Sequence, residues 1–131
     1  MKMAFELQML AVAVVIGLVH LVWAAASAQP QRGWKWNMGP REDRIQLTGM
    51  AGRLERAFVN FRETFPFFAA AVIVAYLGGR LGMFTYCGAG LYAGARALYI
   101  LLYAFGVPVL RSLVWLVSMI GLGLILLALV I

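Results

Sequence analysis

The chain has 131 residues, of which 64% are apolar and only 12% charged, with a formal net charge of +6 and a mean hydropathy of +0.90. A soluble domain of this length cannot hide so much apolar surface, which excludes that class and points to an integral membrane protein. The positive charge does not indicate a nucleic-acid partner: the basic residues cluster beside apolar segments, where membrane topology and anionic headgroups account for them, and no nucleic-acid motif is present.

The predicted fold is all-α, a single domain over residues 1–131 built as a bundle of four transmembrane helices. The first apolar run, Phe5 to Ala28, is long enough to cross the hydrocarbon core, with Glu6 and His20 as its ionisable groups. Ala26-Ser27-Ala28 resembles a signal-peptide cleavage site. The apolar run is nevertheless longer than a usual signal core, and Lys2 is the one basic residue ahead of it, so a retained span is expected. Residues 29–52 read as a polar loop, broken by Pro30, Gly33, Pro40 and Gly49. Trp34 and Trp36 alternate with Lys35 there, which suits the headgroup level. The second span is expected over 53–77 and the third over 81–105, after a Gly78-Gly79-Arg80 turn. The fourth is expected over 111–131, beyond a break at Gly106-Val107-Pro108.

Basic residues orient these spans. Arg32, Lys35, Arg41, Arg44, Arg53, Arg56 and Arg111 fall on one side, and Lys2 and Arg80 on the other. The positive-inside rule therefore makes the first and third loops cytoplasmic, with both termini outside. Gly90 and Gly94, with Ala89 and Ala93 beside them, offer small-residue spacing for close helix packing. Cys87 is the single cysteine, so no internal disulfide can form, and it is expected to be a small packing residue. No metal site is expected.

Charged groups at the head of the second span need a reason, because burying them in lipid is costly. Arg56, Asn60 and Glu63 are spaced by four and three, so they share one helix face, with Arg53 three residues ahead. Arg62 points elsewhere and can snorkel to headgroups. An Arg–Asn–Glu stripe can hold a zwitterion, since Arg forks a carboxylate, Glu accepts from an ammonium, and Asn does both. The same stripe could equally be a self-neutralising Arg–Glu pair. Pro66, three residues beyond Glu63, can kink the helix. In the third span Arg96, Tyr99 and Tyr103 share a face, and Arg111-Ser112 follow the break. These could line a site, or be an interfacial tyrosine belt with a topological arginine.

Taken together, the two segments resemble the MAPEG family, the membrane-associated proteins of eicosanoid and glutathione metabolism. Arg56-Ala57-Phe58-Val59-Asn60-Phe61-Arg62-Glu63-Thr64-Phe65-Pro66 matches the family signature R-A-x-x-N-x-x-E-x-x-P at every fixed position. Arg96, Tyr99 and Tyr103 match the third-span signature, and Arg111-Ser112 resembles the arginine that opens span four. The resemblance implies a homotrimer in a membrane, the bacterial inner membrane for a member like the microsomal glutathione transferases. It implies glutathione as co-substrate, bound between subunits on the cytoplasmic side. Arg56, Asn60, Glu63, Arg96, Tyr99 and Tyr103 would bind glutathione, and Arg111 would act on its thiol. Ser112, Arg53 and Arg32 are further candidates. The implied activity is a transferase or peroxidase acting on a hydrophobic small-molecule electrophile or lipid hydroperoxide, drawn from the surrounding membrane lipids. The alternatives are a non-catalytic lipid-binding or partner-activating protein, or a small structural subunit.

Overall fold

The structure is a computed structural model that describes residues 2–131. Five helices follow one another: α1 (Phe5–Arg32), α2 (Trp34–Met38), α3 (Gly49–Leu77), α4 (Met83–Ala104) and α5 (Pro108–Val130). All but α2 are long and apolar enough to cross a membrane. A lipid-solvated chain must satisfy its backbone groups internally, and these helices do so within each span.

The long helices extend past the expected apolar spans at the polar-loop end. α1 continues to Arg32 through Pro30. Proline removes one backbone donor, and this close to the helix end little hydrogen bonding is lost. α3 begins at Gly49, ahead of Arg53, and α5 begins at Pro108, ahead of Arg111. Proline suits the first turn of a helix, where its missing N–H would have had no partner. α3 also runs through Pro66 without interruption. The loop expected over 29–52 is thus shortened at both ends and contains α2.

The end of α1 is stapled to the start of α3. The Gln31 side chain donates to the Thr48 carbonyl at 3.0 Å and accepts from the Thr48 N–H at 2.9 Å. Between them, Trp36 organises the connection. Its indole N–H donates to the Asp43 carbonyl at 2.5 Å. The Arg32 and Arg41 guanidinium carbons lie 4.8 and 5.6 Å from its ring centroid.

α4 and α5 form the tightest pair, α1 packs on α3 and α4, and α3 also meets α4 and α5. The close approach of α4 and α5 is made by Gly88 and Gly121. A Cβ on Gly88 would lie 2.4 Å from the Gly121 carbonyl oxygen, and one on Gly121 would lie 2.6 Å from that of Gly88. The expected Gly90/Gly94 pair does not have this role. A Cβ on Gly94 would meet nothing of another element within 4 Å, and one on Gly90 would meet only the Phe5 ring, at 3.6 Å. Ala89 and Ala93 are buried as expected. Cys87, expected to pack, is exposed on the outer surface.

Mid-bundle, Phe68 stacks on Tyr92 with ring centroids 4.0 Å apart. The Tyr92 hydroxyl meets that of Thr64 at 2.9 Å. At the far end, Thr85 donates to the buried Glu6 carboxylate at 2.5 Å, tying α4 to α1.

Two substitutions test this packing. Gly121→Val should force α4 and α5 apart and cost about 1–3 kcal/mol, seen as a lower thermal midpoint in detergent by circular dichroism. Thr85→Val should leave Glu6 buried without its donor and cost about 1–3 kcal/mol. Thr85→Ser, which keeps the hydroxyl, should retain most of that stability in the same assay.

Candidate functional site

One cavity of about 390 Å³ gathers residues from three helices. α3 contributes Arg56, Val59, Asn60 and Glu63, α4 contributes Tyr99 and Tyr103, and α5 contributes Arg111, Ser112 and Trp115. The volume lies within the range of small-molecule sites. Seven of the residues singled out in the sequence line it: Arg56, Asn60, Glu63, Tyr99, Tyr103, Arg111 and Ser112. Helical spacing brings each set to one face. The turn 105–107, with Gly106 at a φ of 73°, folds α5 back so that its first turn faces the last turn of α4.

Within the cavity, the Arg111 guanidinium lies over the Tyr103 ring, 4.5 Å from its centroid. Tyr103 meets Tyr99 edge-on, with centroids 5.6 Å apart. Ser112 donates to the Pro108 carbonyl at 3.2 Å, within its own helix. Arg56 and Glu63 do not pair: Arg32–Glu55, at 2.6 Å, is the sole salt bridge among the described residues. Within the chain itself the stripe is therefore not a self-neutralising Arg56–Glu63 pair. Its cation and anion stand at opposite ends, with Asn60 between them. Arg56, Val59, Glu63 and Ser112 are exposed, so the cavity opens along the flank of the chain.

Three candidates lie outside the cavity lining. Arg96 is fully buried and sits behind the wall, where it donates to Asn60 Oδ1 at 2.9 Å. Its guanidinium carbon is 4.3 Å from the Tyr99 centroid and 5.5 Å from that of Phe61. Arg96 is one turn deeper than Tyr99, where α3 covers α4, so sharing a face with the tyrosines does not bring it to the opening. Arg53 is turned aside to donate to the Ala104 carbonyl at 2.9 Å, capping the end of α4. Arg32 is held by Glu55 on the other side of α3.

Sequence reasoning missed Val59 and Trp115 as lining residues. Val59 carries no chemical signal. Trp115 lies three residues beyond Ser112, and that helical spacing could have found it; its buried indole N–H has no acceptor among the described residues. His20 was noted only as ionisable. It is fully buried and stacks on Phe61, with centroids 5.0 Å apart, on the same aromatic group that supports Arg96.

The MAPEG family model matches residues 9–131. Comparison with curated proteins and with solved structures gave no match. The family includes membrane glutathione transferases and peroxidases. With nearly its whole length matched and four membrane-capable helices, the chain belongs to the MAPEG family of multi-pass membrane proteins.

Proposed function

We propose that this protein is a glutathione-dependent transferase or peroxidase for hydrophobic electrophiles or lipid hydroperoxides. The observation that carries this is the convergence of Arg56, Asn60, Glu63, Tyr99, Tyr103 and Arg111 on one cavity. Glutathione is a tripeptide with an ammonium, two carboxylates and a thiol. Arg56 forks a carboxylate, Glu63 accepts from the ammonium, and Asn60 bridges them. Arg96, through its bond to Asn60, is a positioning residue that fixes which way the amide faces. The tyrosines wall the site, and Arg111 stands at the thiol.

A free thiol has a pKa of about 8.5, so little thiolate exists at neutral pH. A fixed guanidinium in a site shielded from water favours the anion. Lowering the thiol pKa by two units takes roughly 2.7 kcal/mol of differential stabilisation. In conjugation, the thiolate forms a C–S bond to the electrophile, and the displaced electron pair leaves with the leaving group or takes up a proton. In peroxide reduction, the thiolate attacks the O–O bond and releases the lipid alcohol after protonation. The resulting sulfenic acid condenses with a second glutathione, giving the disulfide and water. The open flank of the cavity supports closure by a second copy, in the homotrimer of this reading. The polar-loop side is then cytoplasmic, both termini lie outside, and in a bacterium the membrane is the inner one.

Arg111→Ala should move the glutathione thiolate titration upward, toward about 8.5. At pH values below the lowered pKa, the thiolate fraction should fall by up to about 100-fold. Near-ultraviolet thiolate absorbance against pH measures this, and an unshifted titration would refute the role of Arg111. Arg56→Ala and Glu63→Gln should each weaken glutathione binding by about tenfold or more, measured by calorimetry. Absence of glutathione binding by the unaltered protein at millimolar ligand would overturn the enzyme reading in favour of a non-catalytic lipid-binding member.

A further inference from the structure

His20 is fully buried in the middle of α1, the one ionisable residue of that helix between Glu6 and Arg32. Neither ring nitrogen has a hydrogen-bond partner among the described residues. Arg96, fully buried across the bundle on α4, likewise leaves Nε and Nη2 without an acceptor. Of the six buried side-chain nitrogens in this condition, four belong to these two residues. The unmet hydrogen bonding of the bundle is therefore concentrated in one place.

Phe61 marks that place. Its ring stacks on the imidazole, with centroids 5.0 Å apart and planes at 28°. The Arg96 guanidinium carbon lies 5.5 Å from the same centroid. A Cβ on Gly17, one turn before His20, would lie 2.8 Å from Phe61 Cε1, so the glycine is what lets α1 approach the ring this closely. His20 and Arg96 are also chemically complementary. A guanidinium carries donors and no acceptor, and Asn60 Oδ1 takes Nη1 at 2.9 Å. A neutral imidazole offers one acceptor and one donor. Protein interiors meet separated buried polar groups of this kind with ordered water, each molecule making about three hydrogen bonds. A phenylalanine would stack on Phe61 equally well, so the acceptor is what the imidazole adds.

We propose that His20 is a positioning residue for glutathione, accepting from Arg96 through buried water around the edge of Phe61. The water holds the guanidinium so that Nη1 stays on Asn60 Oδ1, which leaves the Asn60 Nδ2 donors for the ligand. Without the acceptor Arg96 is free to turn, and the amide turns with it. This role rests on the glutathione reading and adds to the site a residue that lies outside its lining.

Calorimetry with glutathione compares the unaltered protein with two variants. His20→Phe keeps the stack and removes the acceptor, and His20→Gln restores an acceptor without the ring. His20→Phe should weaken binding by about tenfold with its thermal midpoint kept, and His20→Gln should recover it to within about threefold. Unchanged binding by His20→Phe overturns the proposal, because the nitrogens then have no role. An equal loss in both variants also overturns it, because the ring is then a packing group. If the unaltered protein binds no glutathione, the glutathione reading falls first and this role falls with it. His20 is the single histidine of the chain. Isotopic nitrogen labelling of histidine in the untagged protein therefore reports on this ring alone by magnetic resonance, whether or not the variants fold. The spectrum should show a neutral imidazole whose unprotonated nitrogen is hydrogen-bonded, with its resonance displaced on adding glutathione. A free unprotonated nitrogen, a doubly protonated ring, or a resonance indifferent to bound glutathione overturns the proposal.

Discussion

A guanidinium out of contact with bulk water needs an acceptor oxygen and polarisable neighbours, and Arg96 has both. Asn60 supplies the oxygen, and Tyr99 and Phe61 supply aromatic faces. These partners come from α3 and α4, so holding Arg96 fixes how the two helices face each other. Asn60 and Tyr99, which hold it, also line the cavity. The charge buried behind the wall thereby orients the groups on its surface. His20 extends the arrangement to α1 by stacking on Phe61.

Much of the cavity was legible because the helical period is a strong constraint. Arg56, Asn60 and Glu63 had to share a face once α3 was a helix, as did Tyr99 and Tyr103. The break at Gly106-Val107-Pro108 was enough to bring Arg111 and Ser112 near the same end of the bundle. What could not be read was the depth at which a neighbouring helix covers a shared face. Arg96 lies on the tyrosine face but is sealed off by α3. Arg53 continues the Arg56 line but is turned aside to donate to the Ala104 carbonyl at the end of α4. Spacing also suggested Gly90 and Gly94 for close packing. Many small residues in α4 satisfy such a pattern, and only the facing Gly121 selects Gly88. Helix ends were misjudged for a related reason. Apolar runs mark where lipid begins, whereas these helices are extended beyond it by side-chain and backbone contacts such as Gln31 with Thr48.

The arginines that fixed the expected orientation have different fates in the fold. Arg53 caps a helix and Arg32 is paired with Glu55. Arg111 and Arg56 line the cavity, and Arg41 and Arg44 line a depression beside α3 at the polar-loop end. Topological charge and local chemistry are thus supplied by the same residues. Arg56 and Val59 border both depressions, so α3 is a partition one helix thick between two cationic surfaces.

The contact between Gly88 and Gly121 has a consequence for how this chain can change over generations. α5 is indexed at both ends, by the 105–107 turn beside Arg111 and by the glycine contact ten residues further on. Between these marks Leu113, Leu116, Val117 and Ile120 face outward. Each can drift to another apolar residue without disturbing either mark. Deleting any one of them turns the two ends of α5 against each other by about 100°. Length is therefore the heritable constraint in this segment, and it holds at positions where the identity of the side chain is nearly free.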